Sequence, residues 1–132
     1  MTDHELGRKG EDAAVRYLKE EGWEIVARNF RTTVGEIDVI AERMESRGNT
    51  QRHTLAIVEV KTRRPRKGLP PQLSVTAHKR KTIVRVAKIF MRQARRPNAS
   101  VRFDVIAVDW LRDSPPRLTH LQCAFDSEGR IN

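Results

Sequence analysis

The chain has 132 residues, 38% hydrophobic and 33% charged, a balance that suits one soluble globular domain with a modest core and excludes a disordered chain. No apolar run approaches the ~20 residues needed to cross a bilayer, and the acidic start (Asp3, Glu5, Glu11) lacks a signal-peptide layout. A lone cysteine, Cys123, excludes an internal disulfide framework, suits a reducing cytoplasm, and reads as a small buried hydrophobe in a C-terminal strand. The net charge of +9 is unevenly spread: the 44 residues between Glu59 and Asp104 hold 14 Lys and Arg and no acid. A one-signed stretch repels itself unless a polyanion visits it, so nucleic acid is the leading partner. An anionic membrane fits less well, because the basic helix offers no exposed Trp or Phe to insert below headgroups.

Thr2-Asp3-His4-Glu5 forms a capping box that opens a helix to about Glu21, with Leu6, Gly10, Ala13, Ala14, Tyr17 and Leu18 on its inner stripe and Gly22 at its end. Trp23 to Phe30 reads as a strand, Thr32 to Gly35 as a turn, Glu36 to Glu42 as a second strand and Thr54 to Thr62 as a third. The polar stretch from Arg43 to His53, with Ser46, Gly48 and Asn49, reads as a long hairpin loop. Arg63 to Gln72 contains Pro65, Gly68, Pro70 and Pro71 and reads as an irregular basic loop. Ser74 or Thr76 caps a second helix to about Gln93, with Ile83, Val84, Ala87, Phe90 and Met91 inward. Val101 to Val108 is a strand, and Leu118 to Phe125 a last edge strand after the Ser114-Pro115-Pro116 turn. The order αβββαβ(β) predicts an α/β fold in a single domain, one central mixed sheet flanked by helices.

Two acid-bearing strands carry the chemistry. Asp38 sits among β-formers in the second strand, on the pleat face of Glu36, and Glu59 and Lys61 share a face in the third. If these strands pair antiparallel, Asp38 comes within reach of Glu59. The flanking runs Leu55 to Val58 and Val39 to Ala41 look buried on both faces, where a charge is costly unless it has a task. Two carboxylates with a backbone carbonyl, here Val60, suit a hard cation such as Mg²⁺ or Mn²⁺, and Lys61 can stabilise a hydroxide nucleophile or developing phosphorane charge. The competing reading is an ordinary ion pair between Glu59 and Lys61 on a solvated face. Four scattered histidines have no zinc spacing, and no phosphate-binding glycine loop or serine elbow occurs. Arg63, Arg64 and Lys67 of the basic loop, with Lys79 and Arg80 at the second helix, are the candidate phosphate contacts. Asp104 shares a strand face with Arg102, as an ion pair would. Glu36 either backs the metal ligands or anchors the turn at Gly35.

With these residues in place, the sequence resembles the PD-(D/E)xK nuclease superfamily, and more closely the bacterial YraN-like family, which is similar to archaeal Holliday-junction resolvases. The resemblance rests on Gly7 to Glu11, Arg28-Asn29-Phe30, Gly35 to Ala41, Val58 to Arg63, Lys79-Arg80-Lys81 and Arg102 to Val108. It implies a restriction-endonuclease-like fold, a Mg²⁺ or Mn²⁺ site at Asp38 and Glu59, Lys61 as catalytic lysine, and Glu11 on the first helix as a further acid. Ile37 stands where the superfamily pattern has proline. The function implied is metal-dependent endonuclease cleavage of DNA, including branched or repair intermediates. The alternatives are a non-catalytic nucleic-acid-binding module on the same fold and a homodimeric scaffold, a two-fold dimer being suited to branched DNA.

Overall fold

A computed structural model describes residues 2–64, 75–96, 99–111 and 114–132. Helix α1 spans Asp3–Glu20; the Thr2 hydroxyl accepts the Glu5 N–H at 3.2 Å, satisfying one of the donors a helix leaves open at its start. At its other end the Gly22 and Trp23 N–H groups return to the Lys19 and Leu18 carbonyls at 3.1 and 2.9 Å, the paired closure that the glycine permits. Strands β1 (Glu24–Arg31), β2 (Glu36–Arg47) and β3 (Thr50–Arg63) form an antiparallel meander. Helix α2 (Ala77–Gln93) crosses over to β4 (Ser100–Asp109), parallel to β3, and β5 (Arg117–Phe125) closes the edge antiparallel to β4. The sheet order is β1-β2-β3-β4-β5, a mixed α/β fold as the element order predicts. Among the described residues no helix is long and apolar enough to cross a membrane.

Alternation along β2 and β3 divides the core between the two helices. Ile40, Leu55 and Ile57 pack with Ile83, Val84, Val86 and Phe90 of α2. Val39, Ala41, Ala56 and Val58 pack with Ala14, Val15 and Leu18 of α1. The first helix lies directly on β3: a Cβ at Gly10 would stand 2.1 Å from the Thr62 hydroxyl. On α2, Thr76 is the cap, its hydroxyl accepting the Lys79 N–H at 3.1 Å; Ser74 and nearly all of the basic loop lie outside the described residues.

Two expectations are corrected. The stretch from Arg43 to His53 is no loop: the β2–β3 ladder runs on to Arg47 opposite Thr50, and Gly48 and Asn49 make the turn. Gly48 has φ +57°, which a two-residue hairpin connection asks of its first central residue. Polar composition misleads here because a ribbon solvated on both faces needs no apolar stripe; cross-strand polar contacts serve instead, as where Glu42 meets His53 at 3.3 Å. Cys123 is exposed, not buried, and has φ +49° where β5 slips register against β4. The slip turns the Cys123 N–H toward the Asp104 carboxylate, 3.0 Å away, and takes its side chain out of the core-facing alternation.

Candidate metal and phosphate site

The site arises where the sheet divides. The β2–β3 ladder ends at Val39 opposite Val58, yet β2 stays paired with β1 as far as Glu36, and β3 stays paired with β4 as far as Arg63. The two central strands therefore splay into a fork. Asp38 fills it, its Oδ2 accepting the Val60 N–H at 2.8 Å, a donor that the parted ladder no longer satisfies.

Glu59 stands on the other limb of the fork and is only 6% exposed. Its Oε2 is buried and has no hydrogen-bond partner. Burial first, and the Asp38 charge second, push the Glu59 carboxyl from its ordinary 4.5 to about 8, while Lys79 and Lys61 pull it the other way. A proton on Glu59 can be shared with Asp38. Asp38, Glu59, Lys61 and Lys79 thus occupy one electrostatic neighbourhood, with Lys79 delivered by the first turn of α2. A second carboxyl is thus buried beside Asp38, and the Lys79 and Lys61 charges are close enough to act on it.

The other candidates lie elsewhere. Glu11, at 14% side-chain exposure, accepts from Arg28 Nε at 3.1 Å and Asn29 Nδ2 at 3.0 Å, which ties α1 to β1. Glu36 pairs with Arg31 at 3.0 Å in the open. Arg63 grips Asp109 through two nitrogens at 2.7 and 3.0 Å, and Arg64 reaches Asp3 at 3.0 Å. Arg80 donates to the Gly129 carbonyl at 2.7 Å and the Val75 carbonyl at 2.6 Å, fastening the C-terminal segment to the start of α2. Lys67 lies outside the described residues. Among the described residues no group of three or more His, Cys, Asp or Glu is arranged to hold a metal.

A buried polar chain on the opposite face of the sheet escaped the sequence reading. Asp104 is fully buried and accepts from Arg102 at 3.0 Å, from the Cys123 N–H at 3.0 Å, and shares a proton with His120 Nε2 at 2.7 Å. His120 Nδ1 meets the Tyr17 hydroxyl at 2.8 Å. Arg102 also lies over the Trp23 ring, beside Arg43. The Arg102–Asp104 pair follows from alternation within β4, but three more chain segments close the set, and no local pattern announces that.

A family model described as uncharacterised protein family UPF0102 matches residues 10–108. The chain belongs to this family. UPF0102 proteins similar to it include that of Desulfosudis oleivorans, 43% identical over 93% of this chain and 91% of its own. That of Caldicellulosiruptor saccharolyticus is 43% identical over 82% and 85% of the two chains, and that of Nocardia farcinica 39% identical over 91% and 88%. The UPF0102 match spans the fork, from the helix that carries Glu11 through Asp38, Glu59 and Lys61 to the end of β4.

Proposed function

We propose that the fork is the divalent-metal site of a nucleic-acid phosphodiester hydrolase, a DNA endonuclease of the PD-(D/E)xK kind that the sequence resembles. The observation that carries this reading is Glu59: a buried carboxylate with an unpartnered oxygen, held beside a second carboxylate inside a central sheet. Without a ligand that placement costs stability; a hard cation bound by oxygen compensates both charges at once. Asp38, Glu59 and the Val60 carbonyl are the groups that would hold Mg²⁺ or Mn²⁺. Such ions commonly take one or two carboxylates from a protein and complete their shell with water and substrate phosphate, so two acids suffice. The bound ion would supply Lewis-acid polarisation of the phosphate and a lowered pKa for attacking water.

The chain's own groups do the rest. Lys61 lies on the β3 limb, two residues past Glu59, where its ammonium can stabilise charge developing on the phosphoryl oxygens. Lys79 stands in the first turn of α2, where its charge acts on Glu59 and the helix dipole also favours a phosphate. The hydrogen bond from Val60 fixes the Asp38 carboxylate, so no reorganisation is needed when substrate arrives. One observation favours a second reading, a binding module without turnover: Glu11, the further acid that the resemblance implies, is engaged by Arg28 and Asn29. A panel of linear, single-stranded and branched DNAs incubated with Mg²⁺ or Mn²⁺ separates the two. The hydrolase reading requires cleavage that disappears in Asp38→Ala and in Lys61→Ala; cleavage that survives both changes sinks it.

A further inference from the structure

The two helices flank one sheet and have nearly the same length, 18 and 17 residues, yet their charges differ in kind. Helix α1 carries five acids (Asp3, Glu5, Glu11, Asp12, Glu20) against four bases, the mixture expected of a solvated face. Helix α2 carries six bases and no acid. Four of them, Lys81, Arg85, Lys88 and Arg92, are exposed and recur at helical spacing on the side opposite Ile83, Val86 and Phe90. They form a straight stripe about 16 Å long at 1.5 Å per residue. Each is three or four residues from the next, so like charges face one another along its whole length and weaken the helix. Among the described residues none of the four is in an ion pair. Arg28, Arg63, Arg64 and Arg102, by contrast, are all committed to carboxylates. Lys79 and Lys81 also stand in the first turns, against the helix dipole.

We propose that the outer face of α2 is a rail for the phosphate backbone of a nucleic-acid duplex. The inference deepens the hydrolase reading by naming how its substrate is held, and it rests on that reading only for what becomes of the bound duplex. Charge of one sign at regular spacing matches a duplex backbone, which presents phosphates at regular intervals. Single strands are gripped through aromatic platforms, and the stripe has none. A lipid surface asks for apolar side chains among the cations; the exposed large hydrophobic residues among those described are Met44 and Ile131, neither on α2.

The test is equilibrium binding of a 20-base-pair DNA duplex, followed by fluorescence anisotropy in EDTA across a salt series, so that turnover plays no part. The variant K81Q/R85Q/K88Q/R92Q is compared with an α1 variant of equal charge loss, R8Q/K9Q/R16Q/K19Q. Each phosphate contact contributes about 0.9 to the slope of log affinity against log salt, so the α2 variant should flatten it by about 3 to 4. The α1 variant should leave the slope nearly unchanged, and the swap K81R/R85K/K88R/R92K should retain it, which guards against loss through misfolding. Unaltered binding by the α2 variant overturns the rail. Equal loss in both neutralised variants also overturns it, in favour of diffuse net charge. Stripe-dependent binding to phosphatidylserine vesicles that exceeds binding to the duplex overturns it in favour of a membrane. If the duplex binds through the stripe but is never cut, the rail stands and the hydrolase reading falls.

Discussion

Glu59→Gln removes the charge that the fork holds at greatest cost, and its effect should depend on pH in a calculable way. The Glu59 carboxyl titrates near 8 in the folded chain against an ordinary value of 4.5, chiefly because it is buried and secondly because Asp38 stands beside it. A raised folded-state value means the proton binds the folded form more tightly. The contribution is therefore complete below about pH 4.5 and is lost as pH rises through about 8. At about 1.4 kcal/mol per pH unit, that gap sets a ceiling near 5 kcal/mol, and even half of it would be a large fraction of a small domain's stability. Gln cannot ionise and has nearly the shape of the protonated acid. In metal-free buffer the variant should match the parent at pH 4 and exceed it by about 2 kcal/mol or more at pH 9. Urea unfolding followed by circular dichroism at pH 4, 7 and 9, with EDTA, measures this. Parallel stability profiles for parent and variant would refute the claim that Glu59 is buried beside a second charge.

Other consequences follow from the same geometry. Asp104→Ala should cost about 3–5 kcal/mol in urea unfolding, because it removes at once the buried partner of Arg102, of His120 and of the Cys123 N–H, leaving Arg102 only Glu45 and His120 only Tyr17; a loss under 1 kcal/mol would deny the network any structural weight. Gly10→Ala places a methyl 2.1 Å from the Thr62 hydroxyl and should destabilise by about 1–3 kcal/mol. Adding Thr62→Ala should recover much of that loss, and strictly additive effects would count against direct contact between α1 and β3. Metal affinity at the fork should rise up to about tenfold per pH unit below pH 8, because Glu59 must release its proton to become a ligand; titration at pH 6 and pH 8 checks the sign.

The fold was legible in the sequence because its elements announce themselves: Thr2 and Thr76 as caps, Gly22 as a stop, and apolar runs in β3 and β4 that fit a sheet covered on both faces. The β2–β3 ribbon was not, since its residues alternate between two solvated faces and leave no hydrophobic period to read. Asp38, Glu59 and Lys61 could be selected because charges stood where valine belongs, but local sequence does not reveal that the strands part there. That follows from β3 pairing with β4 after β2 has left it. The candidate phosphate contacts were harder to read. Arg63, Arg64 and Arg80 look alike as cations, and only tertiary placement shows that they donate to Asp109, Asp3 and two carbonyls.

In the proposed function Asp38 and Glu59 together hold a divalent cation. Calorimetric titration of the intact chain with Mn²⁺ at pH 7, in two buffers of different ionisation enthalpy, puts this to the sharpest test. One saturable site per chain is expected, with release of close to one proton as the ion enters and loss of the site in Asp38→Ala. Absence of saturable binding, or binding that Asp38→Ala leaves intact, would contradict it.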